Sequence, residues 1–317
     1  MRDRLLNLLK IGLSLGLLVL LLWRIGWRET WEVLSHSDFR YLLAAWGLYL
    51  LSMVLRAYRW QVFLLIQKLS VPLSKLVSLY FIGTFFNSVL PTGFGGDVVR
   101  MYELSKDSGQ STQSVSTVLV DRLSGFLVLF VMACLALPFS YQFIPPAVSV
   151  IVVTITAVAL LGVWMALNDG AWEWFGGLPL AGSLLQRSTA REFRASIQAY
   201  RTRAVYKALV VSFAFNVLLM AMNYLVALAL GIRISLFYFL VFIPIISFLL
   251  ILPVSFSGLG VREGGYVLLF SQAGVPESLA LAMSLCVYAI AVATGLVGGL
   301  LYVLEGYRRL GRNGGIS

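Results

Sequence analysis

The sequence has few charged residues, and this scarcity sets its class. Only 12% of the 317 residues are Asp, Glu, Lys or Arg, whereas about 25% is usual in globular domains. Hydrophobic residues make up 60%, and apolar runs near the roughly 20-residue length of a transmembrane helix recur along the chain. These features exclude a soluble globular protein and predict an all-α polytopic membrane protein.

Side chains for catalysis and metal binding are equally scarce. The chain has two cysteines and one histidine. Cys134 and Cys286 both lie within apolar runs, so a disulfide framework is not expected. His36 stands in a loop, and the sequence has no phosphate-binding loop of the Walker type. We therefore expect no metal, no cofactor and no catalytic constellation, which is to say a protein that is not an enzyme.

The net charge of +10 would suggest nucleic acid as a partner of a soluble protein. Here most basic residues lie between apolar runs, where they act as orientation signals and contact anionic lipid headgroups. No nucleic-acid partner is expected.

Six stretches are long and apolar enough to cross a bilayer. They are 8–26, 41–66, 112–137, 146–167, 206–230 and 277–305. The first continues into Trp23 and Arg24 without a small-residue cleavage site, so it is expected to be a retained helix and not a signal peptide. Tryptophans near the predicted span ends are typical of an interfacial belt: Trp23, Trp27, Trp31, Trp60, Trp172 and Trp174.

Two further apolar stretches, 73–90 and 236–252, end in a Leu-Pro pair and a glycine-rich run. Proline breaks a helix and glycine permits tight turns, so Pro91 and Pro253 are the expected helix breakers. A short second helix is predicted after each break. These short helices are expected at 96–107 and 262–272.

The distribution of basic residues predicts the orientation. The N-terminus, the basic connection 168–205 and the C-terminus are expected in the cytoplasm, whereas 138–145 and 273–276 are expected outside. Residues 73–107 then make no net crossing. Each broken unit is therefore predicted to be a re-entrant helical hairpin. Eight full spans are the alternative, because two tightly joined spans give the same parity.

The two broken units match each other in sequence. Residues 90–100 and 252–262 share six of eleven positions without a gap, and each unit follows the second crossing of its half and precedes the last. Three crossings and one hairpin per half predict an inverted-topology repeat. The single membrane domain is divided into a first repeat, 1–140, and a second, inverted repeat, 141–317.

Backbone that leaves the helix at membrane depth must be buried in protein or line a wet cavity, so the two breaks indicate an interior polar space. The helix N-termini beyond them suit an anion, and Arg100 and Arg262 at or near the first turns can hold a phosphate. The predicted phosphate site also includes Gly95, Gly96, Gly258 and Gly260. In the structural alternative, Arg100 pairs with Asp97 or Glu103, and Arg262 with Glu263, to hold the hairpins together.

Other charges within apolar runs are candidates for a supporting or coupling role. Arg56 and Arg59 lie three residues apart on one helical face, and either contact substrate or snorkel toward headgroups. Asp121 and Arg122 are adjacent and point in different directions; Asp121 is expected to pair with Arg100 or Arg56. The remaining candidates are Asp97, Glu263 and Asn87, with Asn216 and Asn223 expected between helices.

Four motifs occur in a fixed order. They are Arg56-Ala-Tyr-Arg59-Trp60, the run from Asn87 through Pro91 to Arg100, Asp121-Arg122-Leu-Ser-Gly125, and the run from Pro253 through Arg262 to Gly265. In these motifs the chain resembles the transmembrane flippase-like domain of lysylphosphatidylglycerol synthases, over nearly its whole length. The resemblance implies lipid translocation, or the handling of some other amphiphilic phosphate. The soluble aminoacyl-transferase domain of two-domain members is not expected, because the sequence ends at Ser317, soon after the last span.

We therefore expect a flippase that moves an anionic phospholipid or a polyprenyl-phosphate-type lipid between leaflets of the cell inner membrane. It either equilibrates lipid passively or couples to an ion or the membrane potential, through Asp97, Asp121 or Glu263. Two alternatives stay open: a membrane enzyme acting on a lipid phosphate, and a non-transporting scaffold for envelope-lipid enzymes. The expected partners are the lipid, anionic headgroups at the cytoplasmic face, and a second copy of the chain or a lipid-synthesising enzyme.

Overall fold

The computed structural model describes residues 16, 19–21, 23–90, 94–140, 142, 144–176, 194–195, 198–201, 204–251, 255 and 257–313. Over these residues the chain forms helices and turns and no strand, so the prediction of an all-α protein is confirmed. Three predicted features lie wholly or largely outside the described residues: the first span 8–26, the breakers Pro91 and Pro253, and much of the connection 168–205.

The helices are, in chain order, α1 (Trp27–Ser35), α2 (Phe39–Ile66), α3 (Leu73–Val89), α4 (Gly95–Ser108), α5 (Ser111–Ser140), α6 (Pro146–Leu167), α7 (Asp169–Gly176), α8 (Ala204–Ala229), α9 (Leu236–Leu249), α10 (Val261–Ser271) and α11 (Glu277–Asn313). In the described part of the chain, α2, α5, α6, α8 and most of α11 are long and apolar enough to cross a membrane. A multi-pass membrane protein is thereby confirmed, and these five spans end within three residues of the expected bounds.

Two local features differ from the sequence-based expectation. The helix α1 lies where no helix was predicted, and the Thr30 hydroxyl bonds the Gly26 carbonyl in its first turn. The helix α5 continues through Pro138 to Ser140, so the loop that was expected at 138–145 is shorter. The Ser140 hydroxyl donates to the Ala136 carbonyl over 2.9 Å at the end of this helix.

The helix α4 runs back along α3, and α10 packs on α9. Helices α3 and α4 form the first hairpin, and α9 and α10 form the second. The first turn of α4 is fixed by the Asn87 side chain, which accepts a hydrogen bond from the Gly96 amide over 2.8 Å. The two backbones are so close that a Cβ at Gly96 would lie 2.0 Å from the Gly83 carbonyl oxygen. Only glycine fits at this contact.

The helices of the two halves pack on each other. α2 lies along α8, α3 along α11, and α9 against α5. A close approach also joins α3 to α11, because a Cβ at Gly298 would lie 1.9 Å from the Phe81 carbonyl oxygen. The largest hydrophobic core is built by α5, α8, α9, α10 and α11, and a second one by α2, α3, α4 and α5. Both cores border the space between the two hairpins.

Candidate functional site

A cavity of about 370 Å³ lies between the two helical hairpins and the helices that surround them. It is located where the sequence predicted an interior polar space. Its charged lining residues are Arg56, Arg59, Arg100, Arg122, Arg262, Asp97 and Asp121. Apolar side chains complete the wall, among them Leu129, Leu219, Met222, Ile243, Ile246 and Leu250. The cavity therefore combines arginine-rich and apolar surfaces.

Asp121, on α5, joins three other helices at one end of the cavity. Its carboxylate accepts hydrogen bonds from Arg59 Nε over 2.7 Å and from an Arg100 terminal nitrogen over 2.9 Å. The Tyr80 hydroxyl of α3 donates to the same carboxylate. The structure thus contains the expected pair of Asp121 with Arg100. On α2 the partner is Arg59 and not Arg56, which lies about one turn away.

Asp97 is a second shared carboxylate. It accepts from Arg100 over 3.2 Å and also pairs with Arg122. The result is a continuous chain of alternating charges: Arg59, Asp121, Arg100, Asp97 and Arg122. Adjacent residues of α5 point to different partners, as expected for Asp121 and Arg122. The pair of Arg100 with Asp97 corresponds to the structural alternative for this arginine.

Arg100 is also enclosed by aromatic rings. Its guanidinium carbon lies 4.1 Å from the centre of the Trp60 ring and 3.8 Å from that of Tyr80, which is cation–π geometry. Trp60 is fully buried and its indole donates to Thr117 over 3.4 Å. The assignment of Trp60 to the interfacial belt is therefore wrong, because this tryptophan packs under a buried arginine.

The second hairpin carries a smaller polar cluster. Arg262 donates to Glu263 Oε1 over 2.9 Å, and its guanidinium lies 4.1 Å from the ring centre of Tyr288. The other oxygen of Glu263 accepts from the Gly260 amide over 2.6 Å, and Ser284 donates to Oε1 over 3.4 Å. Arg262 thus makes the pair that the structural alternative specified.

The two hairpin arginines differ in their position along the helix. Arg262 is the second residue of α10, but Arg100 is the sixth residue of α4. Arg262 therefore lies in the first turn of its helix, and Arg100 lies in the second turn. The difference arises because α4 already begins at Gly95, whereas the matching Ser257 precedes α10. The backbone at Gly258 and Gly260 has φ angles of 78° and 79°, so the chain turns there before α10 starts.

The two hairpins meet at Ser257. Its hydroxyl lies 2.9 Å from the Asn87 carbonyl oxygen and 3.1 Å from that of Leu90, at the end of α3. The last carbonyls of a helix lack partners within it, and Ser257 supplies a donor from the other half of the chain. The junction ties the two hairpins together beside the cavity.

Arg56 differs from the other arginines of the cavity. It makes no ion pair and no hydrogen bond with any residue that the structure describes, and its Nε is buried without a partner. Its guanidinium lies 4.8 Å from the ring centre of Phe215. Arg59 is buried and bonds Asp121 and Ser212, so it does not snorkel toward headgroups.

Hydrogen bonds between helices involve the asparagines, as the sequence predicted. Asn216 donates to the Gly125 carbonyl over 3.2 Å, and Asn223 accepts from the Tyr266 hydroxyl over 2.5 Å. Tyr80 and Tyr266 were not predicted as site residues, because the sequence does not show whether the hydroxyl of a tyrosine in an apolar run contacts a buried polar group. No group of three or more potential metal ligands occurs among the residues that the structure describes.

The chain is similar to a known protein family and to a curated protein. The sequence model of the lysylphosphatidylglycerol synthase transmembrane region matches residues 7–299. PH1989, a UPF0104 membrane protein of Pyrococcus horikoshii, is 30% identical over 156 residues, which are 48% of this chain and 46% of that protein. The alignment thus spans about half the length of this curated relative, whereas the family match includes both hairpins and every charged residue of the cavity.

Proposed function

The chain belongs to the family of the lysylphosphatidylglycerol synthase transmembrane region, and from this membership we propose that it moves a lipid with an anionic headgroup between leaflets. Membership of this family indicates that the chain is a membrane protein with a lipid-related role. The observation that carries the finer proposal is the cavity, because arginines and apolar walls occur together within the helical bundle. A lipid in transit needs both surfaces.

The charge of the cavity favours an anion. Five arginines and two aspartates line it, so its lining carries an excess of positive formal charge. Ionisable residues within a membrane protein are costly and mark substrate pathways. Guanidinium groups hold phosphate through paired, charge-assisted hydrogen bonds. An anionic headgroup therefore supplies the charge that the lining lacks.

We also propose that the two hairpins are re-entrant. The fourteen residues of α9 and the eleven of α10 give helices about 21 Å and 16 Å long, which is short of the roughly 30 Å hydrocarbon core. Gly83 and Gly96 hold α4 against α3 in the first hairpin. Broken helices that meet inside the membrane are the usual sites of substrate binding in transporters.

Residues 1–140 and 141–317 are proposed to be inverted repeats. If α2 is exchanged with α8, α3 with α9, α4 with α10 and α5 with α11, the helix contacts map onto one another. The α3–α11 contact becomes α9–α5, the α4–α5 contact becomes α10–α11, and the α2–α8 contact maps onto itself. This correspondence supports a pseudo-two-fold axis between α2 and α8.

We propose that the protein moves the lipid without changing it covalently. The only histidine of the sequence, His36, follows α1 and is exposed, away from the cavity lining. The carboxylates of the cavity are held by arginines: Asp97 and Asp121 each contact two. We propose that lipid either equilibrates passively or is coupled to an ion or the membrane potential, with Asp97, Asp121 and Glu263 as the candidate coupling residues.

The proposed role also concerns the location, orientation and partners of the protein. We propose that it lies in the inner membrane with both termini in the cytoplasm, because the N-terminus, the connection 168–205 and the C-terminus are rich in basic residues. Anionic headgroups at that face are its lipid contacts. A second copy of the chain or a lipid-synthesising enzyme is the proposed protein partner.

Reconstitution into liposomes tests the proposed function. Vesicles would contain phosphatidylglycerol labelled on the acyl chain, and dithionite added outside would reduce the exposed label. In protein-free vesicles only the outer leaflet reacts, so about half of the fluorescence is lost; with the protein, most should be lost. Chromatography of lipid extracted from a parallel sample without dithionite should show it unchanged. Fluorescence loss equal to that of empty vesicles would contradict translocation, and a modified lipid would favour an enzyme.

A further inference from the structure

The charged end of the cavity is not balanced. The contacting chain of Arg59, Asp121, Arg100, Asp97 and Arg122 holds three positive and two negative formal charges. Arg56 lines the same cavity and adds a further positive charge. The excess at this end is therefore two positive charges among the cavity-lining side chains.

The groups predicted from the sequence to bind phosphate are already engaged. Arg100 contacts two carboxylates and two aromatic rings, and Arg262 contacts Glu263 and the Tyr288 ring. The helix N-termini are partly occupied as well: Asn87 accepts from the Gly96 amide and Glu263 from that of Gly260. These residues build the hairpins before any ligand arrives.

Arg56 contacts the Phe215 ring, but it makes no ion pair and no hydrogen bond with any residue in the described part of the chain. The Arg56 side chain is partly buried, and a partly buried guanidinium without an ion-pair partner lowers the stability of the protein. Its position on the cavity wall, one turn from Arg59 on the same face of α2, places it where a ligand in the cavity can reach it. An anionic ligand would remove the cost of the unpaired charge.

We propose that Arg56 binds the headgroup and that the headgroup ends in a terminal phosphate, a phosphomonoester or a diphosphate. This inference rests on the proposed function and deepens it by naming the lipid class. A terminal phosphate carries about −1.5 to −2 charges at neutral pH, which matches the excess at this end of the cavity. A phosphodiester headgroup supplies one negative charge and leaves the excess half compensated.

Ligand-induced thermal stabilisation of the detergent-solubilised protein tests the proposal without transport. Short-chain phosphatidic acid should raise the unfolding temperature more than short-chain phosphatidylglycerol. Arg56→Gln should weaken phosphatidic acid binding about 10- to 100-fold, as expected for one charge-assisted contact, and Arg56→Lys should retain part of it. Arg40→Gln is the matched control, because Arg40 is an exposed arginine on the same helix, and it should bind as the wild type does.

The same variant separates binding from folding. Without ligand, Arg56→Gln should unfold at the wild-type temperature or above it, because it removes a partly buried charge that has no ion-pair partner in the described part of the chain. The preference for phosphatidic acid should disappear below about pH 6, where its phosphate takes up a proton and carries one charge.

Each contrary result has a distinct meaning. Equal stabilisation by the two lipids would overturn the terminal-phosphate inference, and an unchanged affinity of Arg56→Gln would overturn the role of Arg56. Inorganic pyrophosphate that stabilises as strongly as phosphatidic acid would show a site for a free anion, not for a lipid. Transport is scored separately in vesicles. If the protein moves both lipids but binds them equally, the terminal-phosphate inference fails and the proposed function stands. If it binds phosphatidic acid through Arg56 but moves no lipid, the proposed function fails and the binding site stands.

Discussion

Arg59 donates a hydrogen bond from Nε to Asp121 Oδ1 over 2.7 Å, and both side chains are almost wholly buried. The pair joins α2 to α5 about 15 Å from the start of α5, which is ten residues along the helix. Charges at that depth are tolerated when each has a partner. The Arg59–Asp121 pair therefore holds the charged end of the cavity in place.

Asp121→Asn should destabilise the protein. Asp121 accepts from Arg59, Arg100 and Tyr80, and removing its charge leaves two buried guanidinium groups with less compensation. Loss of one partner of a buried pair costs about 3–5 kcal/mol in typical cases. A lower thermal midpoint in a fixed detergent, measured beside the wild type, would show the effect. An unchanged midpoint would mean that the cluster does not stabilise the fold.

A double-mutant cycle should detect the coupling between Arg59 and Asp121. Adding Arg59→Gln to Asp121→Asn should cost less than the two single losses together, because the second change removes a charge that the first left unpaired. Strictly additive losses would show that the two residues do not interact.

The two hairpin arginines should differ in their effect on stability. Arg100→Gln removes contacts to two carboxylates and two rings, whereas after Arg262→Gln the Glu263 carboxylate still accepts from the Gly260 amide. We expect the larger fall in thermal midpoint for Arg100→Gln. An equal decrease in thermal midpoint for the two variants would contradict the claim that Arg100 makes the more stabilising contacts.

Gly96→Ala should displace the first hairpin. The added Cβ would lie 2.0 Å from the Gly83 carbonyl oxygen, and a backbone atom at that distance cannot yield without moving a helix. Gly47→Ala is the control, since a Cβ at Gly47 meets nothing within 4 Å. Folded protein recovered by size-exclusion chromatography should fall for the first variant and not for the second. Similar recovery would mean that α3 and α4 separate without cost.

The helices could be predicted well from the sequence because the bilayer sets their length and composition. The five described spans agree with apolar runs that any hydropathy reading finds, and the short helices after the breaks lie at Gly95–Ser108 and Val261–Ser271, close to the expected bounds. The helix α1 was missed, since its mixed pattern of tryptophan and charge in Trp27–Ser35 is not an apolar run.

The site was harder to predict, because pairing is a property of three dimensions. The sequence identified the charged residues correctly, yet it could not tell that Asp121 prefers Arg59 to Arg56 or that two carboxylates serve three arginines. Arg56 and Arg59 lie about one turn apart on α2, and this difference in position decides which of them pairs with Asp121. Burial of Trp60 was also missed, since a tryptophan near a span end is usually interfacial.

Cysteine labelling should establish orientation and depth in a background lacking Cys134 and Cys286. Gln272→Cys, after α10, should react with an impermeant reagent outside intact cells, and Ser111→Cys, at the start of α5, should not; both positions are exposed. Phe94→Cys, between α3 and α4, distinguishes the two membrane topologies. It should be protected if the hairpin is re-entrant. Labelling of Phe94→Cys from outside would favour two full spans.

Blocking the cavity is the most direct test of the central claim that lipid passes through it. Ala291 lines the cavity from α11, and Leu296 lies on the same helix with 66% of its surface exposed. In the dithionite assay with labelled phosphatidylglycerol, Ala291→Trp should slow lipid exchange strongly and Leu296→Trp should not, at equal amounts of folded protein. Wild-type exchange by a folded Ala291→Trp variant would contradict the account.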